Sequence, residues 1–153
     1  MVLWSSMTDR ITLTIEGQPQ GKGRPRVTRR GHAFTPQRTR EYEARIAAAA
    51  RGAHQGAPLK GPLILTVDAY HARPAKPPRG HQARELSLLA APCWMKGSRY
   101  PDADNIAKAI ADGLEGIAYA DDSQLVEVTC RRWWAELDGP ARVEVTVSRC
   151  YLP

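Results

Sequence analysis

Apolar and polar residues alternate along Ile11-Thr12-Leu13-Thr14-Ile15-Glu16, which predicts a half-buried strand. Residues 17–33 follow as a loop rich in Gly, Pro and Arg. Thr35-Pro36 predicts a helix start, with Thr35 as N-cap and Pro36 at the first helical position. Tyr42, Ile46, Ala49 and Ala50 then recur at helical spacing, and Gly52 marks the expected stop. After a loop over 56–62, Leu63 to Tyr70 is mostly apolar and β-branched, as a central strand requires. Residues 73–80 contain three prolines and read as a linker. Arg84 to Ala91 predicts a short helix, and 92–101 is irregular. The next helix runs from about Asp104 to Glu115, with Ile106, Ile110 and Leu114 on its apolar face and Ile117 just beyond. Leu125 to Ala135 and Arg142 to Cys150 read as strands, and Gly139-Pro140 between them predicts an antiparallel hairpin.

The predicted order is β-α-β-α-β-β. It implies one α/β (α+β) domain over residues 1–153, built on a four-stranded mixed sheet with helices. A chain of 153 residues is long enough to bury a proper core. Residues 1–9 read as a loose extension, and Met7 is an alternative start. That segment lacks the basic start and long apolar centre of a signal peptide, and no apolar run approaches the ~20 residues of a membrane span.

Charge changes the picture. Lys and Arg number 22 against 16 Asp and Glu, a formal net charge of +6. Such a balance suits a polyanionic partner. Cys93, Cys130 and Cys150 are an odd set with no CxxC spacing, which argues against a disulfide framework or a zinc site and fits reduced thiols in a cytoplasm. The four histidines show no metal-ligand spacing.

Against this basic background stands an acidic group, Pro101-Asp102-Ala103-Asp104-Asn105-Ile106-Ala107-Lys108, followed by Asp121-Asp122. In an extended segment, side chains two apart point the same way, ~6.6 Å apart along the chain. Asp102 and Asp104 therefore suit convergence on one hard cation such as Mg²⁺, or the bracketing of a metal pair. Asp104, Lys108 and Asp112 share a helix face. Asp121 or Asp122 offers a third carboxylate. Such a group suits metal-assisted phosphodiester hydrolysis. The same residues also fit a plainer reading, with Asp104 as a helix cap, Lys108 as its i,i+4 ion pair and Asp121-Asp122-Ser123 as a turn.

A second cluster is basic. Lys22, Arg24, Arg26, Arg29 and Arg30 crowd into nine residues with no acid among them, a composition suited to phosphate contacts. Gly21 and Gly23 would let the backbone approach a phosphate closely. Arg73, Lys76, Arg79 and Arg84, with Lys96 and Arg99, form a further basic group that fits either a wider DNA footprint or a solvated loop. Trp94, Trp133 and Trp134 fit base stacking, core packing or an interface.

The run PDADNIAKAIADGLEGIAYADDSQL resembles the signature of RusA-type Holliday-junction resolvases: Asp-x-Asp-Asn-x-x-Lys, then Asp-x-Leu, then Asp-Asp-x-Gln. The upstream KGRPRVTRRGHAFTPQRTREYE resembles the basic loop and first helix of phage-encoded members. The resemblance implies that Asp102, Asp104 and Asp122 hold the metal, Mg²⁺ or Mn²⁺, and that Lys108 is the catalytic lysine. Asn105 lies beside it in the motif and joins Lys22, Arg24, Arg26, Arg29 and Arg30 as an expected DNA contact. The resemblance also implies a homodimer that nicks a four-way DNA junction in pairs, with no membrane and no organic cofactor. The alternative from another class is a non-catalytic nucleic-acid-binding module or phage regulator. Presence of all the carboxylates and the lysine argues for the enzyme.

Overall fold

The computed structural model describes residues 9–75, 91–95 and 99–151. Four long strands and two helices form its frame. They are β1 (Arg10–Glu16), α1 (Gln37–Ala53), β4 (Leu63–His71), α2 (Ala103–Leu114), β6 (Leu125–Trp134) and β7 (Arg142–Arg149). Between β1 and α1, the short strands β2 (Arg26–Val27) and β3 (Ala33–Phe34) pair as a ribbon. β5 (Ala91–Pro92) adds two residues to an edge. The main sheet is mixed, in the order β1-β7-β4-β6-β5. Among the described strands of this sheet only the β4–β6 pair is parallel, and α2 lies in the connection between them. A parallel pair needs such a crossover.

Alternation decides which face is covered. Every second residue of β4 is buried, as are Ile11, Leu13 and Ile15 on β1 and Val143, Val145 and Val147 on β7. These residues join Tyr42, Ile46 and Ala50 of α1 and Ile106, Ile110 and Leu114 of α2 in one hydrophobic cluster. Each fully buried aliphatic side chain stabilises the fold by about 1.5–3 kcal/mol. The helices approach closely where Gly113 faces Ile46, because a Cβ on Gly113 would lie 2.7 Å from Ile46 Cγ2.

The predicted β6–β7 hairpin does not form. β4 lies between the two strands and pairs with both. Leu63, Leu65, Val67 and Ala69 are wholly buried in the cluster with the two helices, and pairing on both edges satisfies the backbone N–H and C=O groups of so buried a strand. The predicted helix start also shifts. Pro36 has extended ψ (143°) and occupies the N-cap, its carbonyl accepting from Thr39 and Arg40 N–H. Gly52 does not stop α1, which runs to Ala53. The predicted loop over 17–33 contains β2 and the start of β3. The 92–101 stretch begins inside β5, and the helix expected over 84–91 lies outside the described residues except for Ala91 in β5.

At the end of β4, His71 is fully buried, edge-on to Tyr100 with ring centroids 5.5 Å apart. Tyr100 in turn meets buried Trp134 edge-on at 5.5 Å. Neither His71 ring nitrogen has a hydrogen-bond partner among the described residues. Burial, with the Arg132 charge nearby, lowers its pKa from 6.5 to about 4. The folded state thus keeps this ring neutral while the unfolded chain protonates it. Stability should fall as pH drops from 6.5 towards 4, by about 1.4 kcal/mol per unit for this group. His71→Phe should flatten that part of the profile in urea unfolding measured between pH 7.5 and 4.5. An unchanged slope would locate the acid sensitivity elsewhere.

Candidate functional site

Asp102 stands at the N-cap of α2, with extended backbone (φ −64°, ψ 155°). Its carbonyl accepts from Ile106 N–H at 3.0 Å, but its side chain makes no capping hydrogen bond. A carboxylate is well suited to capping, so this one is left open to another partner. Asp104 sits in the first turn of α2. Asp104, Lys108 and Asp122 line one hollow of about 550 Å³, floored by Ala107, Val128 and Cys130. Burial pushes the Cys130 thiol up to about 11, so it remains protonated there. All three cysteines are free thiols.

The two acids of the Asp-Asp pair have different partners. Asp121 caps the 3₁₀ turn Asp122–Gln124, its Oδ1 accepting from Ser123 N–H at 2.8 Å. Hydrogen bonds from Ser123, its side chain foremost and then its N–H, hold the Asp121 carboxyl below the usual carboxylate range. Asp122 is left to Lys108, whose Nζ donates to its Oδ2 at 3.3 Å. Lys108 also meets Asp112 Oδ1 at 3.1 Å, and these two acids raise its pKa, Asp112 foremost. Among the described residues, Glu115, Asp121 and Asp122 are the three carboxylates whose oxygens come within 4.8 Å of one another. Asp102, Asp104 and Asp122 do not close to that spacing. Asp102 instead borders the cleft on the other side of the α2 start.

That cleft, about 720 Å³, lies between the acidic motif and the basic segment. Gly21, Lys22, Arg24, Arg26, Asp102 and Asn105 are among its walls. Lys22 N–H donates to the Asn105 carbonyl at 3.1 Å, and a Cβ on Gly21 would lie 2.5 Å from Asn105 Nδ2. A Cβ on Gly23 would collide with Thr39 Oγ1. The two glycines therefore let this strap lie flat on α1 and on the α2 start. The Lys22 ammonium turns inward to Glu43 and to Asp112 Oδ2 at 2.7 Å. Burial disfavours its charge, yet the hydrogen bonds from these acids outweigh that and raise its pKa.

Farther along, Arg26 lies on β2, and the tip of the ribbon carries Arg29 and Arg30, all exposed. Thr28 closes the tip, its N–H donating to His32 O and its carbonyl accepting from Gly31 N–H, each at 2.9 Å. Gly31 there takes φ +79°, a conformation that favours glycine.

Two side chains to which sequence reasoning gave no role hold the acidic segments in place. Arg132 of β6 points one nitrogen, Nη1, at the carbonyls of Met95 (3.1 Å), Tyr100 (3.3 Å) and Pro101 (3.0 Å), directly before Asp102. Gln124 bridges the turn bearing Asp122 to the loop before β4. Its spacing from Asp121, a capping-box pattern, was the available signal. Trp133 donates its indole N–H to Asp68 at 2.8 Å and Trp134 is buried, so both serve the sheet, whereas Trp94 is exposed. Of the second basic group, Arg73 donates to Ala135 O at 2.5 Å and Arg99 is exposed. Lys76, Arg79, Arg84 and Lys96 lie outside the described residues.

A family model described as Endodeoxyribonuclease RusA matches residues 16–148, which include every acidic and basic residue of these two surfaces. The chain belongs to the RusA endodeoxyribonuclease family. It is also similar to the uncharacterized protein YqaN of Bacillus subtilis (strain 168), 28% identical over 142 residues, covering 91% of this chain and 96% of YqaN. RusA nucleases depend in general on a divalent metal. The donor set here fits such an ion: the open acids are all carboxylates, hard oxygen donors that suit Mg²⁺ or Mn²⁺. No helix among the described residues is long and apolar enough to cross a membrane.

Asp112 is shared by two lysines. Burial alone would raise its pKa, but hydrogen bonds from Lys22 and Lys108 hold it below the usual 3.8. Its contribution to stability is present above that value and fades as pH falls through the lower folded value. Asp112→Asn should leave two cations facing each other and cost about 1–2 kcal/mol near pH 7, given the usual strength of hydrogen bonds to charged groups. Denaturant midpoints should show the gap from wild type closing below pH 4. A constant gap across that range would show that the charge is irrelevant.

Proposed function

We propose that this RusA-family protein resolves four-way DNA junctions by paired, metal-dependent phosphodiester hydrolysis. The observation that carries the reading is that Asp104 and Lys108 of α2 and Asp122 of the following turn line one hollow, within a chain that matches the family over 16–148. Asp104 and Asp122 would hold Mg²⁺ or Mn²⁺ in this hollow, and Asp102, which borders the neighbouring cleft, would complete the set by turning its unbonded carboxylate across the start of α2. When bound, the ion supplies charge neutralisation at the phosphate and a more acidic water. Lys108, its side chain half exposed and its Nζ beside Asp122, donates a hydrogen bond to a non-bridging phosphate oxygen. Water replaces one strand oxygen at phosphorus, and the leaving oxygen takes up a proton.

Arg24, Arg26, Arg29 and Arg30 run from the cleft out along the ribbon, a path suited to a phosphate backbone. Asn105 stands where the cleft meets the acidic motif, and Lys22 lends its charge to the same wall while tied to Asp112. A four-way junction presents two equivalent strands. Among the described residues each chain offers one such hollow, so a two-fold homodimer matches the symmetry of the substrate. A phage or prophage setting and action in the cytoplasm accord with this reading.

A labelled four-way junction incubated with the protein and Mg²⁺ should acquire symmetric nicks. Binding without nicks would favour the non-catalytic module instead. Asp102→Asn, Asp104→Asn and Asp122→Asn should each abolish cleavage while junction binding persists or tightens, because a ligand is lost and repulsion of phosphate is relieved. Normal nicking by any one of them would remove that residue from the site.

Replacing Arg24, Arg26, Arg29 and Arg30 together by Ala should weaken binding to all DNA sequences. The slope of log affinity against log salt should drop by about one unit for each phosphate that is no longer neutralised. An unchanged slope in a salt titration would show that this segment does not touch DNA.

A further inference from the structure

A primary amide has two donor hydrogens and a carbonyl oxygen with two lone pairs. Gln124 uses all four. Its Oε1 accepts from Ala120 N–H at 3.0 Å and from Asp121 N–H at 3.2 Å. Its Nε2 donates to Leu59 O at 2.9 Å and to Gly61 O at 3.1 Å. The two carbonyls lie more than sixty residues away in sequence, in the loop that leads into β4. One side chain thus spans from the turn carrying Asp122 to the start of the central strand.

The turn has a second anchor on its other side. Tyr119 is fully buried, and its hydroxyl donates to Ala111 O of α2 at 2.7 Å. Leu59 N–H donates to Ala118 O at 2.8 Å, which draws the same two segments together. Asp122 itself receives no backbone restraint on its carboxylate among the described residues; its contact is the Lys108 ammonium. Where that carboxylate stands is therefore set by the Lys108 contact and by the backbone on either side of it, and Gln124 fixes that backbone.

We infer that Gln124 is a positioning residue for the site, its four hydrogen bonds holding the Asp122 carboxylate where it can join Asp104 on a divalent cation. The inference rests on the reading of Asp122 as a metal-holding carboxylate. An outer group that orients a ligand typically changes metal affinity 10–100-fold when it is removed. Gln124→Met keeps the length and removes all four bonds. Gln124→Glu keeps the acceptor oxygens for Ala120 and Asp121 and removes the two donors to Leu59 and Gly61.

Two measurements test it on the full chain. The first is amide hydrogen exchange over residues 118–124 without metal. Exchange should quicken strongly in Gln124→Met and less in Gln124→Glu. The second is single-turnover nicking of a four-way junction as Mg²⁺ is titrated. The half-saturating Mg²⁺ concentration should rise about tenfold or more in Gln124→Met, with junction affinity within about twofold of wild type. A residue that only stabilised the fold would reduce the amount of active protein and leave the Mg²⁺ midpoint unmoved. An unmoved midpoint in both variants overturns the inference, whatever happens to exchange or total rate. Should Gln124→Met fail to fold, the midpoint of Gln124→Glu decides. If Asp122→Asn nicks normally, the reading of Asp122 fails first. If Asp122→Asn is inactive while both Gln124 variants keep the wild-type midpoint, only the role of Gln124 falls.

Discussion

Burial of Ile106, Ile110 and Leu114 presses one side of α2 into the core and fixes the rotation of the helix about its own axis. With that rotation set, Asp104, Lys108 and Asp112 have one place left to go, along the rim of the sheet beside β6. Gly113 brings α1 close enough to lock the pose, and the strap of Gly21 to Gly23 follows because it lies on both helices. Packing that involves no polar atom thus decides where the polar chemistry stands.

Charges on that rim form a chain in which neighbours alternate in sign: Glu43, Lys22, Asp112, Lys108, Asp122. Each lysine lies between two acids. The alternation keeps these crowded charges from repelling one another, and it joins the basic strap to the acidic hollow. Asp102 and Asp104 stand outside the chain, and so retain their carboxylates for other partners.

The strands and α2 were legible because their periods are strong. Ile11 to Ile15 and Val143 to Val147 alternate, and Ile106 to Leu114 repeats every four residues. The placement of β4 was not legible. Gly139-Pro140 carries a local turn signal, whereas the insertion of β4 between β6 and β7 satisfies backbone hydrogen bonds along both its edges while its apolar face is buried, a long-range effect. The helix ends shifted for a similar reason, since Pro36 takes extended ψ and Gly52 stays helical. In the candidate site, spacing brought out Asp102, Asp104 and Lys108 and left Asp121 and Asp122 as alternatives; Asp104, Lys108 and Asp122 share a hollow, whereas Asp102 borders the cleft across the start of α2. Spacing did not reveal that Lys22 turns inward to two acids. Nor did it show that Arg132 and Gln124 brace the acidic segments, because the carbonyls they bind lie about thirty and sixty residues away.

The register of the sheet joins its earliest strand to its last, with Arg10 opposite Ser148 and Glu16 opposite Arg142. β7 separates β1 from β4, so until β7 arrives β1 has no neighbour in the sheet and β4 has only β6. On a ribosome, residues 102–122 emerge well before that strand and wait without a complete sheet beneath them. The core closes only when residues 142–149 slot in, and such non-local pairing is slow. An incomplete nascent chain therefore carries the acidic motif without the platform that organises it, and the order of synthesis delays the assembly of a DNA-cutting surface until nearly the whole sheet has been made.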